Sequence, residues 1–204
     1  MSVRSVFLET AALVPGVVDA VAPEWDRPSA LDGWSVGGLA AHFARGIGTV
    51  AGYVREAPPA GGTAVDAAGY FLHFDLADPT LREGVLRRGI AAGDTGPDSV
   101  VAKATEDLAT VTEAIDRSAP DRQLAVFGGV VMGLDEYLRT RLVELVVHLD
   151  DLETSVGREL AVMPGRAVDE ALGVLVTMAE RTHGPRPLIR ALARRERAGS
   201  IAVL

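Results

Sequence analysis

A mostly helical bundle in a single domain is what this sequence predicts, on three observations. Apolar residues recur every three or four positions through most of the chain, the spacing of helices that bury one side. At 204 residues the chain holds one domain with a substantial core, and a second full domain would be cramped. Only "RQLAVFGGVVMG", centred on 123–131, is β-branched, aromatic and glycine-bearing enough to read as a short hairpin or extended crossover. The expectation is a four-helix bundle with additional short helices, one short extended segment near 123–131, and one domain over 1–204.

The elements follow in order. Residues 3–22 set Phe7, Leu8, Ala11, Val14, Val18 and Val21 on one side of a first helix, with a kink expected at Pro15-Gly16. After the loop "PEWDRPSALDGW", Ser35 caps a second helix running to about Val54, whose stripe is Val36, Leu39, Phe43, Ile47, Val50 and Val54. "REAPPAGGT" ends it. A shorter helical piece spans roughly 65–74. Asp78 caps the next helix, with Pro79 at its first position. The turn cluster "GDTGPDS" leads to a helix over about 99–117. Asp135 then caps a long helix closed by Gly157, and two more helices are expected at about 166–182 and 186–198.

Composition excludes several functions. A formal net charge of −8 repels a nucleic-acid backbone or an anionic membrane on average, so neither is an expected partner. No apolar run is long enough to span a bilayer, and the N-terminus shows no basic region followed by an apolar core, so a soluble cytoplasmic protein is expected. Cysteine is absent, which removes disulfides, thiolate ligands and a protein thiol nucleophile together. Thiol chemistry would need a thiol supplied as a small molecule.

One helical stretch carries the chemistry. "RLVELVVHLDDLETSVG", residues 141–157, is apolar in rhythm yet holds Glu144, His148, Asp150 and Asp151. At about 100° per residue, with Glu144 at zero, His148 falls near ~40°, Asp151 near ~−20° and Arg141 near ~60°. Asp135, Arg139, Asp150 and Glu153 fall on the far side, where a solvated face belongs. Leu138, Leu142, Leu145, Leu149 and Leu152 flank the inward polar row on one side, and Thr140, Val143 and Val147 on the other. Charged groups turned into a bundle need partners, and side-chain pairs alone rarely satisfy four of them. A bound cation would. Val146 sits in the arc assigned to solvent, which a partner subunit could cover.

Glutamate and histidine four apart suit one divalent ion of the zinc type, and a third ligand should come from another helix. His42, His73 and His183 are the candidates. His42 is favoured, because Ser35, Gly38, Gly46 and Thr49 share its helix face and leave room for a cavity beside the ring. Asp151 is read as the acceptor for an imidazole N–H. Arg141 would neutralise a carboxylate and assist locally.

The segments "EWDRPSALDGWSVGGLAAHFARGI" and "RTRLVELVVHLDDL" together resemble the N-terminal domain of mycothiol-dependent maleylpyruvate isomerases, within the wider DinB-like metal-binding superfamily. Trp34 stands eight residues before His42 in the first, and the second reads Arg-x-x-Glu-x-x-x-His-x-x-Asp. The closing "LIRALARRERAGSIAVL" is similar to tails of this group. The resemblance implies a DinB-like four-helix core in which His42, Glu144 and His148 bind one divalent metal, most often zinc, with a water or thiolate in the open position. It implies mycothiol or a similar low-molecular-weight thiol as cofactor, acting as a thiolate nucleophile.

The expected function is thiol addition or transfer to a small electrophilic substrate, or its isomerisation, with Asp151 and Arg141 assisting. Family isomerases carry a second, C-terminal domain that contributes to their site. This chain is too short for a full one, which points away from maleylpyruvate itself. Two alternatives stand beside this reading: a metal-dependent hydrolase using bound water, and a non-catalytic small-molecule binding or resistance protein. Bundles of this kind often pair, so a homodimer is a reasonable assembly.

Overall fold

In the computed structural model, residues 1–75 and 77–204 are described. Nine α-helices and one short hairpin succeed one another among them. The first limb is two helices, α1 (Val3–Ala11) and α2 (Val14–Ala20). The break falls at Ala12-Leu13, a turn ahead of the expected kink. Pro15 has no N–H to offer the carbonyl of Ala11, and its ring crowds that carbonyl.

Helix α3 (Val36–Tyr53) starts where Ser35 accepts from the Gly38 amide at 3.0 Å, a cap that contributes about 1 kcal/mol. Its predicted stripe is buried from Val36 to Val50, with Val54 half-buried at the C-cap. Helix α4 (Ala67–Leu72) follows, then α5 (Pro79–Gly93), which Asp78 caps through the Thr80 amide at 2.8 Å. Helix α6 (Pro97–Arg117) begins two residues before the expected Ser99, because Pro97 supplies a ready-made first turn and Gly96 takes the positive φ that precedes it.

Strands β1 (Gln123–Ala125) and β2 (Val131–Gly133) pair antiparallel with Leu124 opposite Met132, so the extended segment is a hairpin. Gly128 and Gly129 turn it at φ of 74° and 73°. The second strand runs straight into α7 (Leu134–Val156), so Gly133 and not Asp135 is the cap. Asp135 lies in the first turn instead and receives Arg4 at 2.6 Å. Gly157 closes α7 in the left-handed conformation, as its position predicts. Helices α8 (Gly165–His183) and α9 (Pro185–Ala193) complete the chain, and α9 ends well before residue 198.

The bundle consists of the α1–α2 limb, α3, α6 and α7. Helix α3 packs on both α6 and α7, while α1 meets α7 and α2 meets α6. Outside this core, α8 covers α7 and α5 covers α3. That covering changes the supposed solvated face of α7. Asp150 is exposed, but Arg139 and Glu153 are half-buried: Arg139 reaches Glu170 of α8 at 2.9 Å, and Glu153 accepts from the Leu160 amide at 2.9 Å. Among the described residues no helix is long and apolar enough to cross a membrane.

Helix α5 seats on α3 by an unusual contact. Its buried residues are Gly84, Gly89 and Gly93. A Cβ at Gly89 would lie 2.1 Å from the Trp34 ring, and one at Gly93 would lie 2.9 Å from the backbone nitrogen of Gly38. The missing side chains let α5 lie directly on the first turn of α3, where the Trp25 indole N–H also donates to the Gly93 carbonyl at 3.0 Å.

Candidate metal centre

The middle of α3 and the middle of α7 bring His42, Glu144 and His148 together, with one ligand atom from each all within 4.8 Å of one another. His148 Nε2 is 3.2 Å and His42 Nε2 3.7 Å from the same carboxylate oxygen, Glu144 Oε2. The two imidazoles meet edge to face with ring centres 4.8 Å apart, and the Trp34 ring leans on His42 at 5.2 Å. Behind His148, its Nδ1 lies 2.9 Å from Asp151 Oδ2. Donation of Nδ1–H to that carboxylate turns Nε2 toward the cluster.

Charge is distributed unevenly in this group. Burial, which opposes charging, lowers the pKa of His42 below the ordinary histidine value despite the nearby Glu144. Burial works against a charged His148 as well, but there the carboxylates of Asp151 and Glu144 outweigh it and raise the value to about 9. Glu144 is buried too, yet His148, His42 and Arg141 together hold it well below the usual carboxylate range. The metal-free cluster at neutral pH is thus a carboxylate, a neutral imidazole and an imidazolium.

The donor types and two of the three ligand-atom separations fit a divalent ion, and all three separations lie within 4.8 Å. An ion bonded tetrahedrally at about 2.0–2.1 Å spreads its ligand atoms about 3.4 Å apart, and the 3.2 and 3.7 Å separations here bracket that spacing. Among the described residues, the group is under-bonded. At 3.7 Å, neither His42 Nε2 nor Arg141 Nη2 is within hydrogen-bond reach of Glu144. His42 Nδ1 is buried with no hydrogen-bond partner among the described residues, whereas a ligating imidazole usually hands its other nitrogen to an acceptor.

Arg141 stands beside the cluster and is 8% exposed. Its guanidinium carbon lies 4.9 Å from the centre of the Tyr137 ring and 5.9 Å from that of Tyr70, close enough for the ring faces to stabilise the cation. Its one hydrogen bond among the described residues runs from Nε to Thr140 Oγ at 3.0 Å. Arg141, His42 and Glu144 together line a cavity of about 330 Å³. Phe71, Phe74, Leu81 and Val85 give that cavity apolar walls, and Phe127 closes it from the hairpin. Burial raises the Tyr70 hydroxyl to about 12, so it stays protonated and able to donate.

His73 and His183 are not brought to the cluster. His73 is exposed and lies edge-on to Phe74 at 5.1 Å, and His183 Nε2 is 3.2 Å from the carbonyl of Ala202 in the C-terminal tail. Gly46, expected to leave space beside His42, instead admits Leu145, whose Cδ2 would be 2.9 Å from a Cβ there. The sequence reading missed Tyr137, although the same helical count puts it at about 20° from Glu144. It also missed Arg45, one turn beyond His42. The contributions of α5 and Phe127 to the cavity had no comparable signal, because they depend on where distant segments fold.

The family model described as "Mycothiol maleylpyruvate isomerase N-terminal domain" matches residues 7–153. Among solved structures, a mycothiol-dependent maleylpyruvate isomerase is similar at 15% identity and a TM-score of 0.55, over 87% of this chain and 68% of that one. A histidine-to-alanine mutant of a mycothiol-dependent maleylpyruvate isomerase matches at 16% identity and a TM-score of 0.54, with the same coverage of both chains. At such identities the likeness carries the fold. Among curated proteins, none matches the sequence significantly.

Proposed function

The chain belongs to the mycothiol maleylpyruvate isomerase N-terminal domain family, and from that premise we propose that it is a metal-dependent enzyme using a low-molecular-weight thiol of the mycothiol kind. The reaction is addition or transfer of the thiol to a small electrophile, or isomerisation of that electrophile through the adduct. His42, Glu144 and His148 would hold the ion, and zinc best suits two imidazole nitrogens and a carboxylate oxygen. The observation that carries the reading is their convergence, from two distant segments, at the wall of a cavity that also holds a buried arginine.

Bound there, the metal would supply Lewis acidity that lowers the pKa of a coordinated thiol and presents it as a thiolate at neutral pH. The protein's own groups do the rest. Asp151 is a positioning residue: by accepting from His148 Nδ1 it holds the ring with Nε2 forward. Arg141 offers its Nη donors to a carboxylate or developing oxyanion on the electrophile, in a setting where little water competes for them. Tyr70 adds a neutral donor on the same wall. The apolar side chains keep water from intercepting the adduct.

The test is the purified chain, assayed for metal by elemental analysis and native mass, then with a small electrophile in the presence and absence of mycothiol. Near-stoichiometric zinc and turnover that requires thiol are expected. Turnover without thiol would make the protein a hydrolase, and zinc that neither binds nor raises the melting temperature would leave a binding protein.

A further inference from the structure

Phenylalanine and tyrosine are scarce in this sequence and concentrated in the structure. The chain has five of the first and three of the second, and six of these eight rings line the cavity beside the candidate metal centre. The other two, Phe7 and Phe43, are buried in the core. Five of the six meet edge to face: Tyr53 lies 5.5 Å from Tyr137 between ring centres, Tyr137 lies 6.3 Å from Tyr70, and Tyr70 lies 5.5 Å from Phe71 and 5.3 Å from Phe74. Phe127 ends the row, tilted against Phe74 at 5.4 Å.

Packing alone does not account for this wall. Phe127 is 48% exposed, on a hairpin whose Gly128 and Gly129 both take positive φ, and a Cβ at Gly128 would lie 2.9 Å from the Phe74 ring. A ring kept half in water beside a cavity gains its burial only when something enters. Ring-to-ring contacts favour an aromatic ligand over an aliphatic one of equal size, by roughly two- to tenfold per contact.

Charge on the same walls is one-sided. Arg45, Arg88 and Arg141 line the cavity against a single acid among the described residues, Glu144, which the metal would claim. Arg141 is buried and makes one hydrogen bond among the described residues, from Nε. A guanidinium short of acceptors matches the planar fork of a carboxylate.

Resting on the thiol-dependent reading above, we propose that the electrophile is an aromatic acid, with one ring seated among Tyr70, Phe74 and Phe127 and one carboxylate received by Arg141. Tyr70 joins the two seats, since its ring centre is 5.9 Å from the Arg141 guanidinium carbon and 5.3 Å from the Phe74 ring. The cavity's volume of about 330 Å³ is near the lower end of the roughly 300–1,000 Å³ of small-molecule sites and suits a molecule with one such ring.

The experiment measures binding by calorimetry, without thiol, to the full chain with zinc added. Its probes are cinnamate, 3-cyclohexylacrylate, which keeps the carbon skeleton without aromatic faces, and cinnamamide, which lacks the charge. Cinnamate is expected to bind at least about threefold tighter than the cyclohexyl acid and at least about tenfold tighter than the amide. Phe127→Leu, at a half-exposed position that spares the fold, should lower the first ratio by about twofold or more, and Phe127→Tyr should keep it. Arg141→Met should abolish the second ratio, and the wild-type comparison decides the charge even where that variant does not fold. Cinnamate bound no tighter than the cyclohexyl acid, or not bound at all, overturns the aromatic assignment. An amide bound as tightly as cinnamate, or a second ratio unchanged in folded Arg141→Met, overturns the place of the carboxylate. Either failure beside thiol-dependent turnover of another electrophile leaves the thiol-dependent reading standing. Both preferences kept by a chain that neither holds zinc nor uses a thiol would overturn that reading and leave a binding site for aromatic acids.

Discussion

Helix α7 meets α3 through large apolar side chains, with Leu145 set against Gly46, whereas α5 meets the start of the same helix through Gly89 and Gly93. Both line the cavity at the candidate metal centre. On α7 the contact face is written by the side chains it carries, leucines beside an inward polar row. On α5 it is written by side chains that are missing, and its outward residues are ordinary. The first kind of face announces both its direction and its chemistry, while the second announces neither.

The sharpest way to break the contrast is to remove a candidate ligand from α7. His148→Ala or Glu144→Ala is expected to take bound zinc from about one per chain to less than about a tenth, with thiol-dependent turnover lost, since two donors do not retain the ion. Elemental analysis of folded protein decides it, and a variant with full occupancy would show that α7 carries no metal site. Wild-type zinc binding should also expel a proton. His148 is raised to about 9 while His42 is lowered and Glu144 held ionised, so between about pH 6.5 and 9 the proton displaced is the one on His148. Apparent affinity therefore rises with pH through that window and levels off above it. Calorimetry in buffers of different ionisation heat at pH 7 should find at least about one proton released per zinc. Zero release would remove His148 from the site.

Next in size is the leucine contact itself. Leu145 is fully buried, and Leu145→Ala is expected to lower stability by about 2–5 kcal/mol in urea unfolding. A loss below about 1 kcal/mol would mean that the facing helix collapses into the space, and that the α3–α7 seam is softer than the contrast requires.

How far each wall was legible follows from the same difference. The α7 wall could be read at 100° per residue because Glu144, His148 and Asp151 share a face that no solvated helix would keep polar between two apolar flanks. His42 was legible as a partner through its small neighbours, although Gly46 turned out to admit Leu145. For α5, Asp78 and Pro79 marked the start, but nothing marked the buried side, because glycine gives no hydrophobic period. Leu81, Val85 and Arg88 could not be assigned to the cavity for that reason. Nor could Phe127, whose place depends on two positive-φ glycines turning the hairpin toward Phe74, 5.4 Å away. The far face of α7 was misjudged for a related cause: α8 lies over it, and Arg139 meets an α8 carboxylate where solvent was expected.

A pair of alanine substitutions sharpens the comparison at its finest scale. Gly→Ala within a helix gains about 1 kcal/mol from propensity, so each variant starts with the same advantage. At Gly93 the new Cβ meets backbone, 2.9 Å from the nitrogen of Gly38 and 3.0 Å from the carbonyl carbon of Gly37, and backbone inside two helices does not yield without separating them. At Gly46 it meets the far end of one side chain, Leu145 Cδ2 at 2.9 Å, which a rotamer adjustment relieves. Gly93→Ala is therefore expected to lose about 1–3 kcal/mol net and to loosen the α5 wall of the cavity, while Gly46→Ala stays within about 1 kcal/mol of wild type. Urea midpoints measure the two, and hydrogen exchange along α5 should quicken only in the first. Equal effects would mean that α5 is held by something other than the closeness its glycines allow.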